Sequence, residues 1–296
     1  MHPKNPYNNR YNIKRLVECY PLLQNYIVVN PSNEKTIDFN SSKAVYALNK
    51  AILLADFRLK DYFLPKGYLI PPVPGRLDYL LYLRDFISKK FNIKQDLKLN
   101  GLDIGCGANG IYCILGAQYF NWKMEGIDCN EKAIEIVNNN ISITKELQKK
   151  VKIRYQENKS FLFKNIIQSS EKFDFLVCNP PFHSSKEDAI KGSFRKLNNI
   201  VGQTIKKSEL YLNFEGQANE LWCNGGEILF IKRLIKESVV CRNQVKTFST
   251  LVAKSESLPK IEKQLNKVKA DYHVINTTIG NKKSRYLVWW FESSKS

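Results

Sequence analysis

The feature that most constrains this chain is a regular alternation of short apolar runs and helix-period segments between residues 97 and 178. Strands are expected at 97–104, 123–128, 151–155 and 173–178, and helices at 111–120 and 131–143. Consecutive strands separated by a helix must run parallel, because a helical crossover returns the chain to the same sheet edge. Such a sheet is covered on both faces. Further on, Ile228, Ile231, Leu234 and Ile235 share one helical face, a strand is expected at 245–253, and a helix at 258–268. The last two apolar runs, 272–278 and 286–291, lie too close together for a crossover and should pair antiparallel. The expected fold is therefore α/β: a Rossmann-like sheet of seven strands, parallel except for its last.

The first 95 residues read differently, as a mainly helical lobe. Ser41-Ser42 can cap a helix whose buried face is Ala44, Val45, Leu48, Ile52 and Leu53, and a second helix runs through Leu77, Leu80, Leu81, Leu83 and Phe86. Between them, Pro71-Pro72-Val73-Pro74-Gly75-Arg76 is expected to be a stiff extended connector, since three prolines cannot sit in a helix interior. The expected division is a helical lobe at 1–95 and a second domain at 96–296.

Two motifs carry chemistry. The first, Asp103-Ile104-Gly105-Cys106-Gly107-Ala108-Asn109-Gly110, sits between a strand end and a helix. Glycines there let the backbone turn tightly and approach a ligand. A glycine loop alone would suit a dinucleotide equally well. Asp103 shifts the reading, because a carboxylate beside pyrophosphate is unfavourable. S-adenosylmethionine carries no phosphate, and its ammonium would welcome one. The next strand ends on Asp128, where a carboxylate can accept both ribose hydroxyls.

The second motif is Asn179-Pro180-Pro181-Phe182, delivered by an apolar strand to the carboxyl edge of the sheet. An exocyclic amine conjugated to a purine is a poor nucleophile. The Asn179 amide oxygen and the Pro180 carbonyl can accept its two N–H groups and aim its lone pair at a methyl donor. Pro180 and Pro181 keep the loop rigid, and Phe182 offers a face on which a base can stack. The two motifs together are shared by class I amino-methyltransferases. By itself Asn-Pro-Pro-aromatic leaves adenine N6, guanine N2 and glutamine amide open. His183 follows Phe182 as in some guanine-N2 enzymes and is read as a loop residue.

Charge indicates the partner. The chain carries 46 basic against 28 acidic residues, a net +18. The excess is +7 over residues 1–97, +2 over 98–180 and +9 over 181–296, so the cofactor half is near neutral and its flanks are basic. A polyanionic partner, nucleic acid or an acidic membrane surface, is what this implies. Lys186, Lys191, Arg195, Lys196, Lys206 and Lys207 follow the catalytic motif. Lys4, Arg10, Lys14 and Arg15 lie near the start. Both groups are expected to contact phosphates above Asn179 and Phe182. The seven cysteines form no Cys-x-x-Cys pair, so neither a zinc site nor any other metal is expected. No apolar run is long enough to span a membrane, and a cytoplasmic, monomeric protein is expected.

Beyond these motifs the chain resembles the ribosomal RNA large subunit methyltransferase F family, to which the human methyltransferase-like 16 protein is similar. The resemblance rests on His2-Pro3-Lys4-Asn5, Ile37-Asp38-Phe39, Ala47-Leu48-Asn49-Lys50-Ala51, and Pro71 through Tyr79. It continues in Leu102-Asp103-Ile104-Gly105, Ile111-Tyr112, Asn179 through His183, Glu220-Leu221-Trp222-Cys223, Gly225-Gly226-Glu227 and Phe230-Ile231-Lys232. It implies adenine-N6 methylation of 23S ribosomal RNA with S-adenosylmethionine as donor. It also implies that Arg76, Gly105, Asp128, Ser160 and Asn179 contact the cofactor. Asp128 stands where the human relative has glutamate, and Ser160 where it has threonine. Segment 186–207 corresponds to a loop that covers the active site in that relative. The competing readings are a guanine-N2 or glutamine-N5 methyltransferase, which should lack the proline-rich segment before Arg76, and an inactive RNA-binding relative. The intact Asp103, Gly105, Gly107, Asp128 and Asn179 argue against the last.

Overall fold

The computed structural model describes residues 1–94, 97–181, 223, 225–279 and 282–292. Its N-terminal part holds α1 (Ile13–Cys19), a short antiparallel hairpin of β1 (Ile27–Val29) and β2 (Lys35–Ile37), α2 (Ser42–Asp56) and α3 (Val73–Phe91). Helix starts follow their caps: Asn12 accepts from the Arg15 backbone N–H and Ser41 from that of Ala44.

The proline-rich segment departs from the sequence expectation. It is extended only as far as Pro72; Val73 opens α3, and Pro74, Gly75 and Arg76 form its first turn. The first N–H groups of a helix have no intrahelical partner, so Pro74 at the second helical position forfeits nothing. The first intrahelical bond then runs from Arg76 N–H to the Pro72 carbonyl, 3.1 Å. This matters for function, because a helical turn fixes the direction of the Arg76 side chain.

The sheet has the order β5-β4-β3-β6-β7-β9-β8. Its strands are β3 (Asn100–Ile104), β4 (Lys123–Asp128), β5 (Val151–Tyr155), β6 (Phe175–Cys178), β7 (Phe248–Leu251), β8 (Asp271–Ile279) and β9 (Lys282–Trp290). All run parallel except β9, which lies antiparallel between β7 and β8. The fold is thus the expected class I methyltransferase sheet, last strand antiparallel. β3 is followed by α4 (Ile111–Tyr119), β4 by α5 (Glu131–Ile143) and the short α6 (Lys145–Lys150). Helix α7 (Gly226–Val240) precedes β7, and α8 (Leu258–Lys267) precedes β8. Strands β3 and β7 are shorter than their apolar runs; Val245 contributes only an isolated bridge to Phe173.

Pleating divides the sheet between two cores. Phe175, Val177, Tyr286 and Val288 face one core, with α3, α4, α5 and the N-terminal helices. Leu102, Ile104, Leu176, Cys178, Leu287 and Trp289 face the other, with α7 and α8. The first core runs without a break from residues of α2 and α3 into α4 and the sheet, so the helical segment forms one of the sheet's covering layers.

The start of the chain is tied into this layer. Asp78, fully buried on α3, accepts from the His2 backbone N–H at 2.6 Å and from Asn5 Nδ2 at 3.1 Å. Its other oxygen accepts from Thr277 Oγ1 and Tyr286 Oη. Four donors from three segments make a buried carboxylate tolerable. They also explain why His2 and Asn5 belong to the motif that carries the resemblance.

Candidate active site

Ile104 of β3 pairs with Ile127 on one side and Cys178 on the other, so Asp103, Asp128 and Asn179 arrive at one edge of the sheet. This is the carboxyl edge at which open α/β sheets bind ligands, and here it borders a cavity of about 470 Å³. Gly105 and Gly107 adopt φ of +71° and +61°. A Cβ built on Gly105 would meet nothing within 4 Å; it would project from an exposed backbone at the cavity wall. The loop is held from behind. Gly105 N–H donates to the Ile127 carbonyl at 2.8 Å, and Gly107 N–H donates to Asp128 Oδ2 at 2.8 Å.

Asp128 Oδ1 accepts from the Asn130 backbone N–H at 2.9 Å. Each oxygen therefore has one backbone donor and a further lone pair available to a ligand. Burial pushes the Asp128 carboxyl up from its ordinary value, and the backbone N–H groups of Gly107, Asn130 and Cys129 oppose the shift.

Asp103 is 1% exposed. Its only hydrogen-bond contact among the described residues is the Cys113 thiol, 3.9 Å from Oδ2. Burial, with the negative charge of Asp128 nearby, raises its carboxyl to about 8, while Arg76 pulls the other way. A buried carboxyl of this kind has room for a cation.

Arg76 is the centre of the site. Only 9% exposed, it donates through Nη1 to Tyr112 Oη and to Asn179 Oδ1, both at 3.1 Å. Tyr112 is buried against Tyr79 edge-on, and burial raises its hydroxyl to about 12, so it stays neutral. Asn179 is half-buried and lines the cavity with Pro181; Pro180 is buried outside the lining. The guanidinium fixes which way the Asn179 amide points, with its oxygen toward Arg76. A second lone pair on that oxygen can still receive a donor from the cavity.

The other expected residues fall as follows. Ser160 is exposed and outside the cavity lining, although Lys159, Phe161 and Leu162 beside it line the wall. Phe182, His183, Lys186, Lys191, Arg195, Lys196, Lys206 and Lys207 lie outside the described residues. Arg10 pairs with Glu34, and Arg15 with Asp56 at 2.5 Å. Lys14 is exposed on α1, and Lys4 is exposed between His2 and Asn5. Asn5 Nδ2 donates to the Pro74 carbonyl, which sets this segment beside the start of α3. Among the described residues, no group of three or more His, Cys, Asp or Glu side chains is placed to hold a metal ion, and no helix is long and apolar enough to cross a membrane.

Among the lining residues, Gln156, Phe161 and Arg233 carry no local sequence signal, and Tyr112 and Phe230 appear only in motifs that carry the resemblance. Tyr112 could have been found, since the first turn of a helix after a glycine loop faces the ligand. Glu237 was also missed. It is 8% exposed on α7 and accepts from the backbone N–H groups of Leu162, Phe163 and Lys164 at 2.9–3.1 Å. The wall segment after β5 is thereby locked to α7.

Comparison with known proteins agrees with this geometry. A family model described as RNA methyltransferase matches residues 1–293. The chain is 46% identical over 292 residues to the ribosomal RNA large subunit methyltransferase F of Christiangramia forsetii, covering 99% of this chain and 100% of that one. Against the protein of the same name from Flavobacterium psychrophilum it is 42% identical, covering 99% and 94%. Among solved structures, the human Mettl16 catalytic domain in complex with the MAT2A 3′UTR hairpin 6 superposes with a TM-score of 0.80 at 26% identity, covering 99% and 98%. The N-terminal domain of human METTL16 in complex with SAH shares the fold, with a TM-score of 0.77 at 24% identity over 99% of each chain. The chain described here belongs to the RNA methyltransferase family, and within it to the ribosomal RNA large subunit methyltransferase F proteins.

Proposed function

We propose that this RNA methyltransferase acts on the exocyclic N6 of an adenine in large-subunit ribosomal RNA. The cofactor is S-adenosylmethionine, which supplies an electrophilic methyl on sulfur and leaves as a neutral thioether. The residues present fit that group: Gly105 leaves an open cradle, Asp103 is a buried carboxyl short of a partner, and Asp128 keeps lone pairs on both oxygens. Asp103 would receive the ammonium and Asp128 the ribose hydroxyls.

The observation that carries the reading is the Arg76–Asn179 hydrogen bond at the cavity edge. It holds the Asn179 oxygen where an incoming N–H can donate to it, and the guanidinium polarises the amide. Accepting the amine protons at Asn179 and at the Pro180 carbonyl draws the nitrogen lone pair out of conjugation. No strong base is required, because the amine becomes acidic as the carbon–nitrogen bond forms. Phe182, next in the motif, supplies a stacking face for the extruded base.

The N-terminal segment 1–95 serves as the RNA-binding lobe and 96–296 as the catalytic domain. Lys4 and Lys14, with the cations of segment 186–207, hold phosphates, while the pocket reads the base. Arg10 and Arg15 contribute less because Glu34 and Asp56 already neutralise them. The protein works as a monomer in the cytoplasm. Incubation with tritiated S-adenosylmethionine and unmodified 23S ribosomal RNA, followed by digestion to nucleosides, tests the reading. Label in N6-methyladenosine supports it. Label in N2-methylguanosine, or none in RNA, overturns it.

A further inference from the structure

The reading above gives no role to the second arginine of the cavity. Arg233 lies on α7 and lines the cavity. Burial pushes up the thiols of Cys129, Cys178 and Cys223, and the charge of Arg233 opposes the shift at all three. Cys129 follows Asp128 at the end of β4, and Cys178 precedes Asn179 at the end of β6. The guanidinium is thus within electrostatic reach of the strand ends that carry Asp128 and Asn179.

Among the described residues Arg233 has no balancing charge. Its Nε is buried without a hydrogen-bond partner, and no carboxylate lies within ion-pairing distance among the described residues. The two acidic side chains of its own helix are committed elsewhere. Glu237, one turn on, holds the backbone of 162–164; Glu227 holds Ala253, Lys254 and Ser257. What fixes the guanidinium is Phe230, whose ring centroid lies 5.5 Å from it. An oriented, partly desolvated guanidinium with unused donors is a site for an oxyanion.

The cofactor is a poor candidate for that anion. It brings a sulfonium and an ammonium against a single carboxylate, a net positive charge. Asp103 and Arg76 already offer a carboxyl and a guanidinium, one for each end of its zwitterion. A further free cation facing the cavity opposes such a ligand, and an RNA strand brings the anion that would balance it.

We propose that Arg233 binds a phosphate oxygen of the RNA at the nucleotide that enters the cavity. Arg233 is then a positioning residue that registers the strand above Asn179. The inference rests on the proposed RNA substrate and adds a contact to it.

The test uses the full chain with Arg233→Met, which keeps an apolar stem of similar reach, and Arg233→Lys, which keeps the charge. Binding of an unmodified 23S ribosomal RNA transcript is titrated against salt, and S-adenosylhomocysteine binding is measured by calorimetry. Arg233→Met should weaken RNA binding by roughly 5- to 20-fold and flatten the log–log salt slope by about 0.7, the loss of one single-strand phosphate contact. Its affinity for S-adenosylhomocysteine should stay within about twofold of wild type, which also reports an intact fold. Arg233→Lys should recover the slope but only part of the affinity, because an ammonium lacks the fork. Wild-type RNA affinity and slope in Arg233→Met would overturn the proposal. So would a tenfold or greater loss of S-adenosylhomocysteine affinity with RNA binding unchanged, which would assign Arg233 to the cofactor. A wild-type protein that binds this RNA but transfers no methyl to it would refute the proposed reaction while leaving the titrations decisive for Arg233. Failure of the wild type to bind the RNA would overturn both.

Discussion

The carboxyl of Asp103 makes cofactor affinity a function of pH in a predictable direction. Burial and the neighbouring charge of Asp128 raise it to about 8 in the unliganded protein. Folding thus favours its protonated form, and the unliganded protein loses stability as the pH rises from the ordinary carboxylate range through about 8. An ammonium placed against Asp103 binds the ionised form, so affinity must rise with pH until the carboxyl is ionised without help. At pH 7 a group titrating at about 8 is mostly protonated, and binding should release about 0.9 proton. Between pH 6 and 7.5 the ionised fraction grows so that affinity should improve roughly 25-fold, about 1.9 kcal/mol. Calorimetry with S-adenosylhomocysteine, which keeps the ammonium but not the sulfonium, measures both quantities when repeated in two buffers of different ionisation enthalpy. Asp103→Asn should abolish the proton release and flatten the profile. A flat profile in the wild type, with no proton released, would refute the reasoning: Asp103 would then not be the ammonium's partner.

Three further changes probe other parts of the site. Asn179→Ala should abolish methyl transfer in single-turnover assays while leaving S-adenosylmethionine binding within about tenfold, roughly 1.4 kcal/mol; near-normal turnover would remove its assigned role. Asp128→Ala deletes the acceptor of two backbone donors and of the proposed ribose contacts. It should weaken the cofactor by about 1.5–3 kcal/mol in calorimetry, roughly 10- to 150-fold. Glu237→Gln replaces an acceptor oxygen by an NH₂ that faces the N–H groups of 162–164. It should lower unfolding free energy by about 1–3 kcal/mol in denaturant titrations and weaken S-adenosylhomocysteine binding as well; unchanged affinity would mean that the 156–164 wall does not meet the cofactor.

The sheet was legible because its signals are local and redundant. Apolar runs at strand length alternate with helical periods, and Phe175–Cys178, buried at every position, reads as the central parallel strand it is. Where the reading failed, the local signal was misweighed or too short to show. Pro74 argued against a helix at 73–76, yet at the second helical position it removes no hydrogen bond. The hairpin of β1 and β2 was missed because its strands are three residues long and largely exposed, so no alternation could show.

The site divides along the same line. Asp103, the glycine loop, Asp128 and Asn179 each sit at the end of a strand, and a strand end in a parallel sheet has one destination; sequence order alone brings them together. Arg76 and Arg233 reach the cavity from covering helices, Glu237 braces its wall from one, and a helix register against a sheet is set by packing that no short window contains. Glu237 in sequence is one more charge on an amphipathic helix, and Arg76 one more cation in a basic chain. What separates them from surface charges is the set of partners: Asn179 is 103 residues from Arg76, and Leu162 is 75 from Glu237. Strand ends place the groups proposed to hold the cofactor and the target amine. The covering helices orient those groups, and they set the charge that the arriving RNA meets.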